Sequence, residues 1–237
     1  MVPKIIHICW FSNDPYPVEI KICMDSWRRI LPDYKIKVWR MADARAIGIP
    51  YLDEALDARR WAFAADAVRY YALWTEGGVY MDSDIFLYRR FDDFLPKEGG
   101  CVTFHECIYP GHTDFGLQAA FVIADKGNEY CRRLFEYYRD RHYIKEDGTQ
   151  DNYISPLVMK DIAAPLGYVS EDRRQDLPGL TVYPTHFLAP RKRYVVDGQT
   201  IGQHRVYGSW RKRKLNRRIE IKLKHYYLTV RYALLKR

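Results

Sequence analysis

The fold is decided by the stretch "AADAVRYYALWTEGGVYMDSDI", residues 64–85. Its first half is filled with alanine and aromatic residues and predicts a helix over 59–76, closed by Gly77 and Gly78, where a left-handed cap is expected. The apolar run after the two glycines predicts a buried strand. A helix that returns through a tight turn into a buried strand is the repeating unit of α/β folds.

Two carboxylates interrupt that strand. Asp82 and Asp84 are two residues apart, so the period of a strand directs both to the same side. At an effective dielectric near 20, two bare carboxylates about 5 Å apart repel by about 3 kcal/mol. A bound cation, a nearby arginine or exposure at the strand end would offset this repulsion. Because Mg²⁺ and Mn²⁺ join carboxylates to substrate phosphates, one interpretation is a metal site, and the other is a solvated turn.

The preceding helix carries a second charged pair. Asp66 and Arg69 are three residues apart and therefore neighbours on one face of an otherwise apolar helix. Charged side chains are seldom buried there unless they are paired or bound to something. An internal ion pair is one interpretation. Since the Gly77-Gly78 turn leads directly into Asp82, the other is that both pairs belong to one site.

The rest of the chain alternates between strand and helix patterns. Such alternation predicts an α/β domain with a mostly parallel central sheet flanked by helices. Ligands of open sheets bind beyond the carboxyl ends of the strands, where Trp10 ends the first strand. The predicted strands cover 4–10, 34–39, 101–104, 119–124 and 180–183, and further helices begin at Pro17 and cover 127–141 and 151–163.

Composition narrows the class of protein. The chain has 237 residues, 48% of them hydrophobic, which is enough to bury a full core. The sequence does not begin with a basic stretch followed by an apolar run, so export is not predicted. No apolar segment reaches about 18 residues, so no membrane span is predicted. We therefore expect a cytoplasmic location. The five cysteines are odd in number and widely spaced, which predicts reduced packing residues.

The net charge of +8 is concentrated in the C-terminal tail. Residues 211–237 hold eleven Lys and Arg and one acid, which leaves 27 basic and 29 acidic residues in the first 210. A nucleic-acid enzyme more often spreads positive charge over its folded surface, so no nucleic-acid partner is expected. We therefore predict a domain over 1–210 and a separate basic tail over 211–237.

The tail has the pattern of an amphipathic helix. Its basic residues and one apolar face predict a peripheral helix on the anionic inner face of the cytoplasmic membrane. The alternative is a helix packed on the domain with a solvated basic face. The apolar positions are Ile219, Leu223, Tyr226, Tyr227, Val230, Ala233 and Leu234.

Three stretches together resemble a known family: "PKIIHICWF" (3–11), residues 64–85 and "HRVYGSW" (204–210). They resemble glycosyltransferase family 32, the DxD-containing sugar transferases of capsule and surface polysaccharide synthesis, which are similar to the catalytic domains of clostridial glucosylating toxins. The resemblance implies a GT-A fold, a single Rossmann-like domain that binds a nucleotide-sugar through Mn²⁺ or Mg²⁺. It favours a UDP-sugar over a GDP-sugar, although a yeast branch of the family uses GDP-mannose.

The resemblance also implies residue roles around the donor. Trp10 would stack on the nucleobase, with His7 beneath it on the same strand. Asp66 would contact the ribose or the donor sugar, with Arg69 beside the sugar or phosphate. The serine and tryptophan of the third stretch, Ser209 and Trp210, would close over the diphosphate as a lid.

Three residues would hold the metal. The resemblance makes Asp84 its direct ligand, Asp82 a bridge between ribose and metal, and His204 the late third ligand. Asp151 is either a helix cap or a group that faces the sugar or acceptor, which would add it to Asp84 and Asp66 as a catalytic candidate. One departure stands out: relatives often carry asparagine where this chain has Gln118, which weakens a sugar contact there.

The function implied is transfer of a sugar, with retention of configuration, to a lipid-linked surface polysaccharide such as a capsule or O-antigen. Retention by front-face attack lets the departing phosphate take the acceptor proton, so no strong protein base is required. Two alternatives stay open. One is a metal-dependent nucleotide-sugar binding protein without transferase activity, and the other is a nucleic-acid-binding protein that uses the basic tail.

Overall fold

The computed structural model describes residues 1–107, 115–189 and 197–205, together with 223, 225–231 and 234 of the tail. The helices of the main body are α1 (Val18–Ile30), α2 (Met41–Arg45), α3 (Pro50–Asp57), α4 (Trp61–Glu76), α5 (Glu129–Arg139) and α6 (Ser155–Ala163). The strands are β1 (Ile5–Cys9), β2 (Lys35–Trp39), β3 (Gly78–Met81), β4 (Ile85–Leu87), β5 (Cys101–Cys107), β6 (Phe115–Leu117), β7 (Phe121–Ala124), β8 (Gln175–Leu177), β9 (Leu180–Tyr183), β10 (Leu188–Ala189) and β11 (Gly202–His204).

The central sheet has the strand order β2-β1-β3-β7-β5-β9-β8, with β6 paired to β5. Strand β1 is parallel to β2 and β3, and β5 is parallel to β9. Strand β7 runs antiparallel between β3 and β5, and β8 is antiparallel to β9. Five of the seven strands along this path therefore share one direction, which confirms the predicted α/β fold with a mostly parallel sheet.

Two hydrophobic cores lie on the two faces of the sheet. Helices α3 to α6 cover one face, where residues such as Val68, Tyr70 and Leu134 are fully buried. Helix α1 and the three-stranded sheet β10-β11-β4 cover the other face, around Trp27 and Ile85. The carboxyl ends of β1 and β3 meet at the edge between these two layers, because the two strands are parallel.

The double glycine is required by close backbone packing. Gly77 ends α4 with φ +69°, and a Cβ there would lie 2.6 Å from the Lys126 amide nitrogen. Gly78 has φ +107°, and its Cβ would lie 2.7 Å from the carbonyl oxygen of Ile5 on β1. Both positions combine a positive φ with contact to another backbone segment, so only glycine fits without strain.

The structure corrects several predicted boundaries. The single strand expected after Gly77 is two strands, since β3 ends at Met81 and β4 begins at Ile85 in the smaller sheet. Helix α4 begins at Trp61, and α6 begins at Ser155 instead of residue 151. Helix α3 has no counterpart among the predicted elements.

The remaining expectations concern the cysteines and the tail. Cys9, Cys23, Cys101 and Cys131 are free thiols, as predicted. Residues 225–231 are helical, as predicted for the tail, whereas the expected boundary at 210 and 211 lies outside the described residues. Among the described helices, none combines the length and the apolar character needed to cross a membrane.

Candidate active site

The Asp82 to Asp84 segment is a turn that joins the two sheets. The Asp82 amide donates to the carbonyl oxygen of Ala120 at 2.8 Å, and the Ile85 amide donates back to the Asp82 carbonyl oxygen at 3.0 Å. Strand β4 then pairs antiparallel with β11, which sets Ile85 opposite His204. The pairing of β4 with β11 thus brings the late histidine to the aspartate turn.

Asp82, Asp84 and His204 converge on one point. One ligand atom of each lies within 4.8 Å of the others, and His204 Nε2 is 3.3 Å from Asp84 Oδ1. The side chains of Asp84 and His204 are 13% and 14% exposed. Two carboxylates and one imidazole form a donor set that suits a divalent cation, with the imidazole favouring Mn²⁺ over Mg²⁺. The residues therefore fit the predicted metal.

The electrostatics of His204 reflect the same arrangement. Burial by itself lowers the pKa of His204, but the carboxylates of Asp84 and then Asp82 outweigh it and raise the pKa to about 9. The imidazole thus holds a proton at neutral pH when no cation is bound. That proton supplies part of the positive charge that the two carboxylates require.

Arg69 links the helix pair to the turn. Its Nη2 lies 2.7 Å from Asp66 Oδ1 and 3.7 Å from Asp82 Oδ1, and its Nη1 donates to the Ala119 carbonyl oxygen at 2.6 Å. The guanidinium is 4.6 Å from the centre of the Tyr80 ring. One arginine therefore serves two carboxylates, and the two charged pairs seen in the sequence form one continuous cluster.

Asp66 is the most deeply buried acid of this cluster, with 7% of its surface exposed. Burial raises the pKa of Asp66, Arg69 lowers it and Asp82 raises it further, with a net value of about 7. The carboxyl group therefore exchanges its proton near neutral pH. It can accept a hydrogen bond from a sugar hydroxyl when ionised and donate one when protonated.

Trp10 lies at the carboxyl end of β1, on the α1 face of the sheet. Its amide donates to the Trp39 carbonyl oxygen at 3.0 Å, and its indole Nε1 donates to the Asp14 carbonyl oxygen at 3.0 Å. The ring packs against Tyr16 with the centroids 4.7 Å apart and remains partly exposed. A partly exposed ring held by its own N–H is suited to stacking on a flat base.

His7 is a correction to the predicted site. It is fully buried: Trp39 Nε1 donates to its Nδ1 at 3.1 Å, so Nε2 carries the proton and donates to the Gly77 carbonyl oxygen at 2.8 Å. Burial lowers the pKa of His7, in keeping with this neutral form. Both ring nitrogens are hydrogen-bonded inside the core, where His7 supports the glycine turn, so neither nitrogen is available to bind a ligand.

Asp151 does not cap the helix, because the residue before α6 is Ile154. Its Oδ1 accepts a hydrogen bond from the Tyr153 amide at 3.1 Å, and the side chain is buried. Burial is the largest cause that raises the pKa of Tyr51, and the carboxylates of Asp66 and Asp151 raise it further. The carboxylates of Asp66 and Asp151 therefore both lie within electrostatic range of the Tyr51 hydroxyl.

Gln118 borders the cluster from the other side. Its Oε1 accepts from the Ala120 amide at 3.2 Å, whereas its buried Nε2 has no hydrogen-bond partner among the described residues. The carbonyl oxygens of the next two residues, Ala119 and Ala120, accept hydrogen bonds from the Arg69 guanidinium and from the Asp82 amide, respectively. Ser209 and Trp210, the predicted lid, lie outside the described residues.

Sequence reasoning missed two parts of the site. Tyr80 donates its hydroxyl to Asp82 Oδ1 at 2.9 Å, a contact that the strand period of two between residues 80 and 82 could have indicated. The carbonyl oxygens of Ala119 and Ala120 have no side-chain signature, so nothing in the sequence marks them. Together they fix the orientation of Arg69 and of the turn.

Comparison with known proteins supports the resemblance over part of the chain. Residues 17–100 match the family described as "Glycosyltransferase sugar-binding region containing DXD motif". This stretch includes Asp66, Arg69, Asp82 and Asp84, so the family resemblance recognised in the sequence is confirmed there. A curated relative, inositol phosphoceramide mannosyltransferase 3 of Schizosaccharomyces pombe, is 32% identical over 101 residues, which are 40% of this chain and 27% of the relative. The chain thus spans about a quarter of that relative's length.

Among solved structures, the PaToxG glycosyltransferase is similar with a TM-score of 0.49 and 17% identity, covering 69% of each chain. The galactosyltransferase LgtC, solved with donor and acceptor sugar analogues, has a TM-score of 0.48 and 11% identity, covering 86% of this chain and 88% of its own.

Proposed function

We infer that residues 17–100 form the DXD-containing sugar-binding region of a glycosyltransferase, and we propose that this chain transfers a sugar from a nucleotide-sugar donor in a reaction that requires a divalent cation. The observation that carries the proposal is the convergence of Asp82, Asp84 and His204 within 4.8 Å. A carboxylate pair and an imidazole held at the carboxyl edge of a mostly parallel sheet occupy the place where such folds bind nucleotides.

In this proposal, different residues of the site bind different parts of the donor. Trp10 stacks on the base from the α1 face, while Asp66 and Arg69 approach the ribose or sugar from the α4 face. Asp84 and His204 would hold the cation directly, and Asp82, whose Oδ1 lies 3.7 Å from Arg69 Nη2, would supply the second carboxylate. A divalent cation bound there would stabilise the negative charge of the departing diphosphate.

We propose that the reaction retains the anomeric configuration. Front-face attack leaves proton transfer to the departing phosphate, so the protein's task is to orient the donor and exclude water. Asp66, with a pKa of about 7, can adjust its proton to either hydrogen-bonding role toward a sugar hydroxyl. Asp151, which like Asp66 lies within electrostatic range of Tyr51, faces the sugar or the acceptor in this proposal.

The acceptor is proposed to be a glycan or a lipid-linked sugar. The yeast relative is named for a phosphoceramide acceptor and for mannose, so a bacterial surface polysaccharide is not specifically favoured. A UDP-sugar is the first donor to test, with GDP-mannose as its direct competitor, because stacking on Trp10 does not distinguish the bases.

The test is a panel of nucleotide-sugars with Mn²⁺, read as protection against thermal unfolding and as donor hydrolysis. A donor at 100 times its dissociation constant stabilises the native state by about 2.7 kcal/mol, which raises the midpoint by roughly 5–10 °C for a chain of this size.

Asp84→Asn removes one metal ligand at nearly constant volume and is expected to abolish both protection and hydrolysis while the protein stays folded. Asp93→Asn, an exposed aspartate outside the cluster, is the matched control and should behave as the wild type. Undiminished hydrolysis by Asp84→Asn would overturn the proposal. Donor binding without hydrolysis or transfer to any acceptor would support a binding protein instead.

A further inference from the structure

The tail helix, defined here as the described residues 223, 225–231 and 234, exposes a row of large apolar side chains. Successive residues of an α-helix are about 100° apart, so the five members of this row fall within an arc about 100° wide. A helix normally buries such a face. The row consists of Leu223, Tyr226, Tyr227, Val230 and Leu234, which are between 44% and 71% exposed.

The opposite face of the tail helix is the one that contacts the domain. His225 Nδ1 lies 3.0 Å from Glu19 Oε2, in the first turn of α1. By the same helical step, His225 lies about 160° from the middle of the apolar row. The helix is therefore held with a polar side chain toward the domain and its apolar row directed away from it. This is the reverse of a helix that packs its apolar face on the domain.

The charge of the tail indicates which kind of partner can cover the apolar row. Residues 211–237 carry eleven Lys and Arg and one acid, so a second copy of this chain on the same face would bring two strongly positive segments together. An anionic surface has the complementary charge. Tyr226 and Tyr227 carry an apolar ring and a polar hydroxyl, the combination that sits at a membrane–water interface.

We propose that the tail helix docks on an anionic lipid bilayer, lying in the interface with its apolar row inserted among the lipids. The eleven basic residues of the tail sequence add electrostatic attraction to the anionic headgroups. This attraction and the insertion of the apolar side chains together bind more strongly than either does alone. The contact between His225 and Glu19 joins the docked helix to the domain.

The position of this contact connects the bilayer to the candidate active site. Cys23, one turn after Glu19 in α1, lies within electrostatic range of Asp84 and Arg205. Trp27, one further turn along, donates to the carbonyl oxygen of Ile85 at 2.8 Å. The tail helix is thus attached to the same helix, α1, whose Trp27 contacts the residue after Asp84, which suits an acceptor carried by the membrane. This last step rests on the proposed function, whereas the docking itself does not.

The test is flotation of the full-length protein with phosphatidylcholine vesicles that contain phosphatidylglycerol, compared with vesicles of phosphatidylcholine alone. The triple variant Tyr226→Ser, Tyr227→Ser, Val230→Ser removes three members of the row, and Thr229→Ser on the other side is the matched control. The full-length protein and the control are expected to float with the anionic vesicles only. The triple variant should need at least about tenfold more lipid for the same binding.

Because the three substituted side chains are exposed, the thermal midpoint of the triple variant should equal that of the wild type. Flotation of the triple variant equal to that of the wild type would overturn the proposal. So would a full-length protein that stays with neither vesicle, or one that forms a dimer dissociated by the same three substitutions. Donor hydrolysis in solution should be unchanged in the triple variant. Undiminished hydrolysis in Asp84→Asn together with normal flotation of the wild type would therefore count against the proposed function alone.

Discussion

Replacing Arg69 with methionine removes the guanidinium that lies beside two carboxylates of the candidate site, those of Asp66 and Asp82. Arg69 and Asp66 are 4% and 7% exposed and lie 2.7 Å apart, so at pH 8, above the Asp66 pKa of about 7, the substitution leaves a buried carboxylate without its countercharge. Breaking a buried ion pair in this way costs about 3–5 kcal/mol. The Ala119 carbonyl oxygen also loses its 2.6 Å donor, which keeps the expected loss at the upper end of that range. For a chain of this length, the midpoint of thermal unfolding should fall by roughly 6–20 °C.

The loss should grow with pH, because Asp66 titrates. Burial already holds the pKa of Asp66 at about 7 in the presence of Arg69, well above the value of about 3.9 expected in an unfolded chain. Without Arg69 the pKa of Asp66 in the folded state rises further. The unfolded state then ionises first, so stability is fully present below about pH 4 and declines as the pH rises through and beyond 7. In the wild type this decline ends near pH 7, whereas in the variant it continues above pH 7, so the stability difference between the two proteins should be larger at pH 8 than at pH 5.

The double variant Arg69→Met, Asp66→Asn is the matched control. It removes the stranded carboxylate together with its partner, so most of the stability should return and the added dependence on pH should vanish. Thermal unfolding followed by circular dichroism at pH 5, 6.5 and 8 measures all three proteins. A single variant that unfolds within about 2 °C of the wild type at pH 8, or a double variant as unstable as the single one, would refute the reasoning.

Two further predictions concern the turn and the metal. Gly78→Ala should lower the unfolding free energy by about 2–4 kcal/mol in urea titrations, because the new Cβ would lie 2.7 Å from the Ile5 carbonyl oxygen at a residue with φ +107°. The control Gly48→Ala, with φ +72° and open space around the residue, should lower it by about 1 kcal/mol. Equal losses in the two variants would contradict the role given to close packing. Calorimetry should show that the affinity for Mn²⁺ rises from pH 6.5 toward pH 9, by up to about tenfold per pH unit. The reason is that the proton on His204, whose pKa is raised to about 9, competes with the cation. A pH dependence that His204→Asn leaves unaltered would exclude this competition.

Local sequence signals were enough to predict most of the architecture. Helix α4 and its glycine cap follow from apolar spacing and from the steric freedom of glycine, both of which act within a few residues. The division of the strand after Gly77 could not be predicted in the same way. Strand β4 exists because it pairs with β11, more than 110 residues later in the chain, and a pairing over that distance leaves no local pattern.

The same distinction applies to the candidate active site. Asp66 and Arg69 are neighbours by helical spacing, and the turn that follows brings Asp82 to them, so sequence alone suggested one cluster. His204 was placed there by family resemblance, and pairing of β11 with β4 is the physical reason that it arrives. His7 was misassigned because an aligned strand residue can point into the core, where Trp39 and the Gly77 carbonyl group use both of its nitrogens.

The charge balance of the cluster explains why two aspartates can follow a buried strand. Three carboxylates, those of Asp66, Asp82 and Asp84, meet one guanidinium and one imidazole whose pKa is raised to about 9. With His204 protonated and Asp66 protonated as well, the cluster is neutral. If His204 lost its proton to ligate a divalent cation together with Asp82 and Asp84, Asp66 could ionise and the cluster would again be neutral. In the proposed reaction, occupancy of the cation site, loss of the His204 proton and ionisation of Asp66 would therefore be linked, and the hydrogen-bonding role proposed for Asp66 would depend on that linkage.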